Sequence, residues 1–195
     1  MRRLVMVIVV LALAVGAFFA GRHFTNASST TTTTSTTIAP TTTTTSGTLS
    51  TDCSPQDFSG AFVQGQGAAG TIFASVTLTK KTSGTCTMKG WPLLTLQDKL
   101  GAVLPSRAID VPANKDGFSF PTAAADAMPA TLHVAQGSIT DFSLAYSDVT
   151  TGATACPNAV TISVQFARNG AAVTVTPSYP LQICNNGQYW VSPLY

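Results

Sequence analysis

Apolar and polar side chains alternate with a period of two along much of this chain. Ile72, Ala74, Val76 and Leu78 are interleaved with Thr71, Phe73, Ser75, Thr77 and Thr79. Val160, Ile162, Val164 and Phe166 are interleaved with Thr161, Ser163, Gln165 and Ala167. Successive side chains of an extended strand point to opposite faces, so this pattern specifies half-buried strands and not helices. Ile139, Phe142, Leu144 and Tyr146 keep the rhythm with one slip, read as a bulge at Asp141. Shorter runs occur at Leu93–Leu96, Ala102–Leu104, Ala130–Val134, Ala172–Thr176 and Tyr189–Val191. Turn clusters such as Thr82-Ser83-Gly84, Asn114-Lys115-Asp116-Gly117, Arg168-Asn169-Gly170 and Asn185-Asn186-Gly187 punctuate them. About seven to nine short strands are expected, forming an all-β, antiparallel sandwich over residues 52–195. Pro121–Pro129 is alanine-rich and has room for one helical turn.

Composition agrees. The 195 residues include no Glu, and only 9% are charged, against about 25% in an ordinary soluble domain. Long solvated helices are excluded, because their usual charged residues are scarce. Arg2, Arg3 and Arg22 supply +3 at the N-terminus; from Asp52 onward seven Lys or Arg face eight Asp, so 7 − 8 = −1. A near-neutral domain offers no electrostatic footprint for nucleic acid, which is excluded as a partner.

Residues 1–23 read as a signal anchor, a transmembrane helix. The 17 uncharged residues Leu4–Ala20 follow Arg2 and Arg3 and precede Arg22 and His23. A helix of that length spans roughly 26 Å, a little short of the ~30 Å hydrocarbon core. Ala20 ends no good small-x-small cleavage site, since Phe18 precedes it, and Thr25-Asn26-Ala27 is poorer. The flanking arginines orient the N-terminus to the cytoplasm. A single-pass membrane protein with its domain outside is therefore expected, with secretion after signal cleavage as the alternative. Residues 24–51 form the next unit. From Thr25 to Thr51 there are 15 Thr and 5 Ser in 27 residues, with no charge and no apolar period. That composition predicts a disordered stalk of the kind that carries O-linked glycans. Asn26-Ala27-Ser28 matches the N-glycosylation pattern but sits almost at the membrane.

Cys53, Cys86, Cys156 and Cys184 all fall in the third unit, 52–195. An even count outside the membrane predicts two disulfides, and the absence of C-x-x-C or a neighbouring His argues against a metal site. Of the three possible connectivities, the sequential one is expected, Cys53–Cys86 and Cys156–Cys184. Cys53 starts the domain and Cys86 follows the hairpin after the first long alternating strand; Cys156 precedes Val160–Phe166 and Cys184 lies after the next hairpin, so a returning neighbour strand can present each second cysteine.

No catalytic motif is present: G-x-S-x-G, S-x-x-K and H-E-x-x-H are all absent. His133, alone in the domain, reads as an ordinary strand histidine. Asp110, Asp116 and Asp126 are too scattered for a calcium loop. Trp91, in Gly90-Trp91-Pro92, reads as core packing beside a disulfide. Ser106–Pro129 carries Pro112, Pro121 and Pro129 together with five charges, from Arg107, Asp110, Lys115, Asp116 and Asp126. It is expected to be a solvent-facing excursion and not an inner strand. In Tyr189-Trp190 one aromatic ring should face outward. The candidate binding surface is accordingly Arg107, Asp110, Lys115, Asp116, Tyr189 and Trp190.

Asp52-Cys53, Gly67-Ala68-Ala69-Gly70, Thr85-Cys86-Thr87, Gly90-Trp91-Pro92, Leu104-Pro105, Tyr146-Ser147-Asp148-Val149, Cys156-Pro157, Cys184 and Val191-Ser192-Pro193 occur in that order. In this the chain resembles domain of unknown function family 4232, over roughly Asp52 to Tyr195. The resemblance implies an immunoglobulin-like β-sandwich with paired cysteines, found in secreted, lipid-anchored or membrane-anchored actinobacterial proteins. It implies no activity, substrate or catalytic residue. The lipobox cysteine of the lipoprotein members is missing here, and Ser106–Pro129 matches the family least well. A non-catalytic envelope module is expected, without cofactor, binding an envelope protein or glycan; an enzyme acting on envelope material, a hydrolase, is the alternative.

Overall fold

The computed structural model describes residues 49–113, 117–151, 156–167 and 170–195. The expected anchor, the stalk as far as residue 48, Lys115 and Asp116 lie outside the described residues. Among those described, no helix is long and apolar enough to cross a membrane.

Strands dominate. In chain order they are β1 (Ser50–Thr51), β2 (Phe58–Ala68), β3 (Thr71–Lys80), β4 (Cys86–Lys89), β5 (Leu93–Gln97), β6 (Arg107–Asp110) and β7 (Leu132–Val134). Then come β8 (Ile139–Ser147), β9 (Asn158–Ala159), β10 (Thr161–Gln165), β11 (Ala172–Val175), β12 (Leu181–Gln182) and β13 (Gln188–Val191). One sheet has five strands in the order β2-β3-β8-β13-β6, and two have three, β11-β10-β5 and β1-β4-β7; β12 and β9 make a ladder of their own. Strands of two to four residues outnumber expectation, because their periodicity is too short to read.

The alternating segments form the strands they specify. In β3, Ala74, Val76, Leu78 and Lys80 are buried; in β10, Ile162 and Val164 are. Side chains from the five-stranded sheet (Val76, Leu78, Phe142, Leu144) share one core with side chains from the β11-β10-β5 sheet (Ile162, Val164, Val173, Val175). Each such side chain contributes about 1.5–3 kcal/mol by leaving water. Phe58 meets Phe166 edge-on across the two sheets, centroids 5.4 Å apart. Lys80 holds an inward position without a counter-ion among the described residues. Its Nζ donates to Thr82 Oγ1 (2.7 Å), Thr82 O (3.2 Å) and Ser83 O (3.4 Å), so the following turn curls over to satisfy it.

Three expectations are corrected. Asp141 is no bulge: β8 pairs with β3 in unbroken register from Ile139↔Thr79 to Ser147↔Thr71. The apparent slip arises because Thr140 takes the inward position, 2% exposed, donating to Tyr195 O at 3.1 Å, while Ile139 faces solvent. The bulge lies in β2, between Gln64 and Gly67. Ala102–Leu104 forms only a single bridge, Gln97↔Val103. The pairing is not wholly antiparallel, since β6 and β13 run parallel; the long chain between them permits the crossover that parallel neighbours need.

Gly60 fixes the closeness of the two sheets. A Cβ there would lie 2.5 Å from Val175 Cγ2 and 3.1 Å from Val173 Cγ1. Gly60→Val is expected to lower the unfolding free energy by about 1–3 kcal/mol through overpacking, read as a shift of the urea midpoint. Gly84→Ala, where nothing lies within 4 Å, should cost only its backbone strain (φ 81°).

Candidate functional site

The structure brings four of the six candidate residues together and turns two of them inward. The parallel pairing of β6 with β13 sets Arg107 beside Gln188, Ala108 beside Tyr189, Ile109 beside Trp190 and Asp110 beside Val191. Period two then divides them between the faces. Ala108, Tyr189 and Val191 join the main core, and Asp110, on the Ala108 side of its strand, is only 3% exposed. Tyr189 is also 3% exposed. Neither can belong to a binding surface. Arg107 is exposed, and Trp190 is half-buried.

Trp190 belongs to a second, smaller core on the other face of the five-stranded sheet. Phe73, Ala145, Trp190 and Ile109 lie in one row across β3, β8, β13 and β6. The chain after β6 folds back over this row. Val111, Phe120 and Ala125 are buried in it, and Phe118 is half-buried. The Phe118 ring stacks on Trp190 with centroids 4.5 Å apart and planes 12° apart, and meets Phe120 edge-on at 5.2 Å. Trp91 Nε1 donates to Val111 O at 2.9 Å and holds the start of this cover. The expected solvent-facing excursion, Ser106–Pro129, is thus corrected in part: among its described residues it begins as an edge strand, and Val111, Phe118, Phe120 and Ala125 then cover the sheet while residues 121–124, 127 and 128 face solvent. Its apolar members Val111, Phe118, Phe120 and Ala125 are the signal that its prolines and charges obscured. Within it, Asp126 N donates to Thr122 O at 3.1 Å, the single helical turn expected there.

Burial sets the electrostatics. The Asp110 carboxyl is pushed up from 3.8 to about 6 by desolvation. Tyr146 is pushed up to about 12 by burial, with Asp148 adding to it, and Tyr189 is raised by burial and by the nearby Asp110 charge. Asp52, on the surface, is lowered, because Thr87 donates to its carboxylate from both N–H and Oγ1.

Other chemistry-bearing residues stand apart. His133 is exposed on β7, paired with Thr87 of β4. Asp52, Cys53 and Cys86 present ligand atoms within 4.8 Å of one another, but both sulfurs are joined in a disulfide and are not thiolate donors. The second disulfide joins Cys156 to Cys184. Both crosslinks match the sequential pairing. Asn185, Asn186 and Gly187 follow Cys184 in three consecutive left-handed conformations (φ 53°, 58° and 75°), and Thr151 Oγ1 donates to Asn185 Oδ1 at 2.8 Å. One open depression of about 230 Å³ is lined by Leu49, Thr51, Pro55, Phe166, Ala171 and the disulfide-bonded Cys53, among others.

Sequence reasoning missed β2. It is the terminal strand of the five-stranded sheet, and Ser59, Ala61 and every residue from Val63 to Ala68 are exposed. Glycines 60, 65 and 67 hid its alternation. A visible signal was the absence of any charge from Phe58 to Thr79.

A protein-family model described as "Domain of unknown function (DUF4232)" matches residues 53–194. No curated protein and no solved structure matches the chain.

Proposed function

The chain belongs to the DUF4232 family, and from that premise we propose that it is a membrane-tethered module of the cell envelope. Its immunoglobulin-like β-sandwich lies outside the cytoplasm and binds an envelope protein or glycan without catalysing a reaction. The observation that carries this reading is the pair of disulfides, with Cα–Cα distances of 5.1 and 4.5 Å. Stable structural disulfides belong to oxidising compartments. Leu4–Ala20 supplies the anchor, and residues 24–51 supply the reach. Two facing sheets around one core support the sandwich assignment.

The placement of reactive groups favours binding over catalysis. Asp110 and Tyr189 are walled in, and His133 faces solvent on a different sheet. A general acid or base needs a partner within hydrogen-bond reach of a substrate. Arg107 and the rim of the β6–β13 edge remain as contact points.

The full-length protein in detergent micelles, mixed with isolated cell walls that retain their attached proteins, separates the readings. Co-sedimentation without release of soluble fragments is expected. Release of wall fragments would establish the hydrolase instead, and a protein that stays in the supernatant would contradict envelope binding.

A further inference from the structure

We infer that β2 is a self-association edge: two copies of this chain pair antiparallel through Phe58–Gln64 and join their five-stranded sheets into one. The inference concerns a surface distinct from the β6–β13 rim and stands whether or not an envelope ligand is found. A terminal strand presents a row of unpaired N–H and C=O groups, and proteins ordinarily blunt such edges with Lys, Pro, inward charges, bulges or brevity; the bulge of β2 blunts it only beyond Gln64. β2 has 11 residues, whereas β6 at the other edge of the sheet and β11 at the edge of the facing sheet have four each. Between Phe58 and Thr79 there is no charged residue and no proline. Among the described residues, positions 59–68 make no backbone hydrogen bond outside the pairing with β3.

The strand's one irregularity, the bulge between Gln64 and Gly67, leaves Phe58–Gln64 in continuous register with β3. That regular run has Ala61 at its centre. Ser59, Ala61 and Val63 point outward, and Val63 is 52% exposed. These side chains are small and uncharged, so a second strand can approach closely.

Charge selects the second copy as the occupant. A two-fold axis at Ala61 sets each residue against a residue of the same strand, and like charges facing each other would destabilise the pair. β2 has none to oppose. It equally offers no charge by which to choose an unlike partner. Pairing over seven residues is smaller than the ~800 Å² per partner of a stable interface, so association is expected to be weak and concentration-dependent.

Sedimentation equilibrium of the full-length protein in micelles, from about 1 to 500 µM, tests this together with Ala61→Lys and Ala61→Asp. Ala61 is exposed, so both variants should keep the wild-type urea midpoint. Wild type is expected to move from monomer toward dimer. Each variant alone should associate at least about tenfold more weakly, and an equimolar mixture of the two should recover dimer as opposite charges meet. Should the charged variants not fold, Ala61→Cys should form an intermolecular disulfide under mild oxidation, faster than Tyr179→Cys at another exposed site (68%). A strictly monomeric wild type would overturn the inference. So would association that Ala61→Lys leaves intact, which would point to the N-terminal segment instead.

Discussion

Replacing Cys156 and Cys184 together by alanine is expected to lower the unfolding free energy by about 3–4 kcal/mol, and the Cys53–Cys86 pair by a similar amount. The partners are 28 and 33 residues apart. Loop closure rises only with the logarithm of that separation, so the two bridges should weigh almost equally. The structure adds a local reason. Cys53 follows β1 and Cys86 opens β4, and these strands pair over only two positions, Ser50↔Lys89 and Thr51↔Met88. Cys156 precedes β9 and Cys184 follows β12, which again pair over two positions, Asn158↔Gln182 and Ala159↔Leu181. Ladders this short have no independent stability. Each disulfide clamps one end of such a ladder, so its loss should loosen the ladder as well as free the unfolded chain. Removing both would take away about 7 kcal/mol of a total near 5–15 kcal/mol, about half of the domain's stability or more. Urea denaturation of the two double variants is the measurement, and a loss under about 1 kcal/mol for either would refute the clamp.

Asp110→Asn is expected to stabilise the domain near neutral pH by about 1–3 kcal/mol and to change little at pH 4. The Asp110 carboxyl titrates near 3.8 when solvated and near 6 when buried beside Val191 and Tyr189. The folded state therefore holds the proton more tightly. Between about pH 4 and 6 it binds more protons than the unfolded state, and stability falls as the pH rises through that window. Above it the folded protein carries a buried carboxylate; asparagine keeps the shape without the charge. Asp52 acts in the opposite sense. Its carboxyl is lowered by Thr87, so its contribution is present above the unfolded value and is lost as the pH falls below it. Paired urea titrations of wild type and variant at pH 4 and pH 7.5 give the test. An equal difference at both values, or a destabilised variant at pH 7.5, would contradict the assignment.

The sequence made the central strands legible and left the edges obscure. β3 and β10 are flanked on both sides and turn one face to the main core, so burial imposes the alternation that the eye can follow. β2 is terminal and packs against β11 through Gly60, so its pattern carries glycine where an apolar residue would mark the face. Its hairpin with β3 turns on Ala69 and Gly70, both with positive φ (51° and 80°), and alanine at the first position does not announce such a turn. The cysteine pairing was legible because each bridge joins chain segments that return as neighbours. The candidate surface was half legible. Arg107 to Asp110 and Tyr189-Trp190 do come together, but which face each residue takes depends on the parallel partner of β6, and that partner is set by long-range pairing no local pattern encodes. Prolines and charges in Ser106–Pro129 suggested solvent exposure; Phe118 had the decisive role, because it stacks on Phe73 and Trp190 and leaves both half-buried, with Phe120 edge-on behind it.

Thiol labelling of intact cells with a membrane-impermeant maleimide tests the proposed oxidised domain outside the cytoplasm. Without reductant no cysteine should react; after an impermeant reductant all four, Cys53, Cys86, Cys156 and Cys184, should react while the cells remain sealed. Labelling that appears without reductant, or only after lysis, would contradict it.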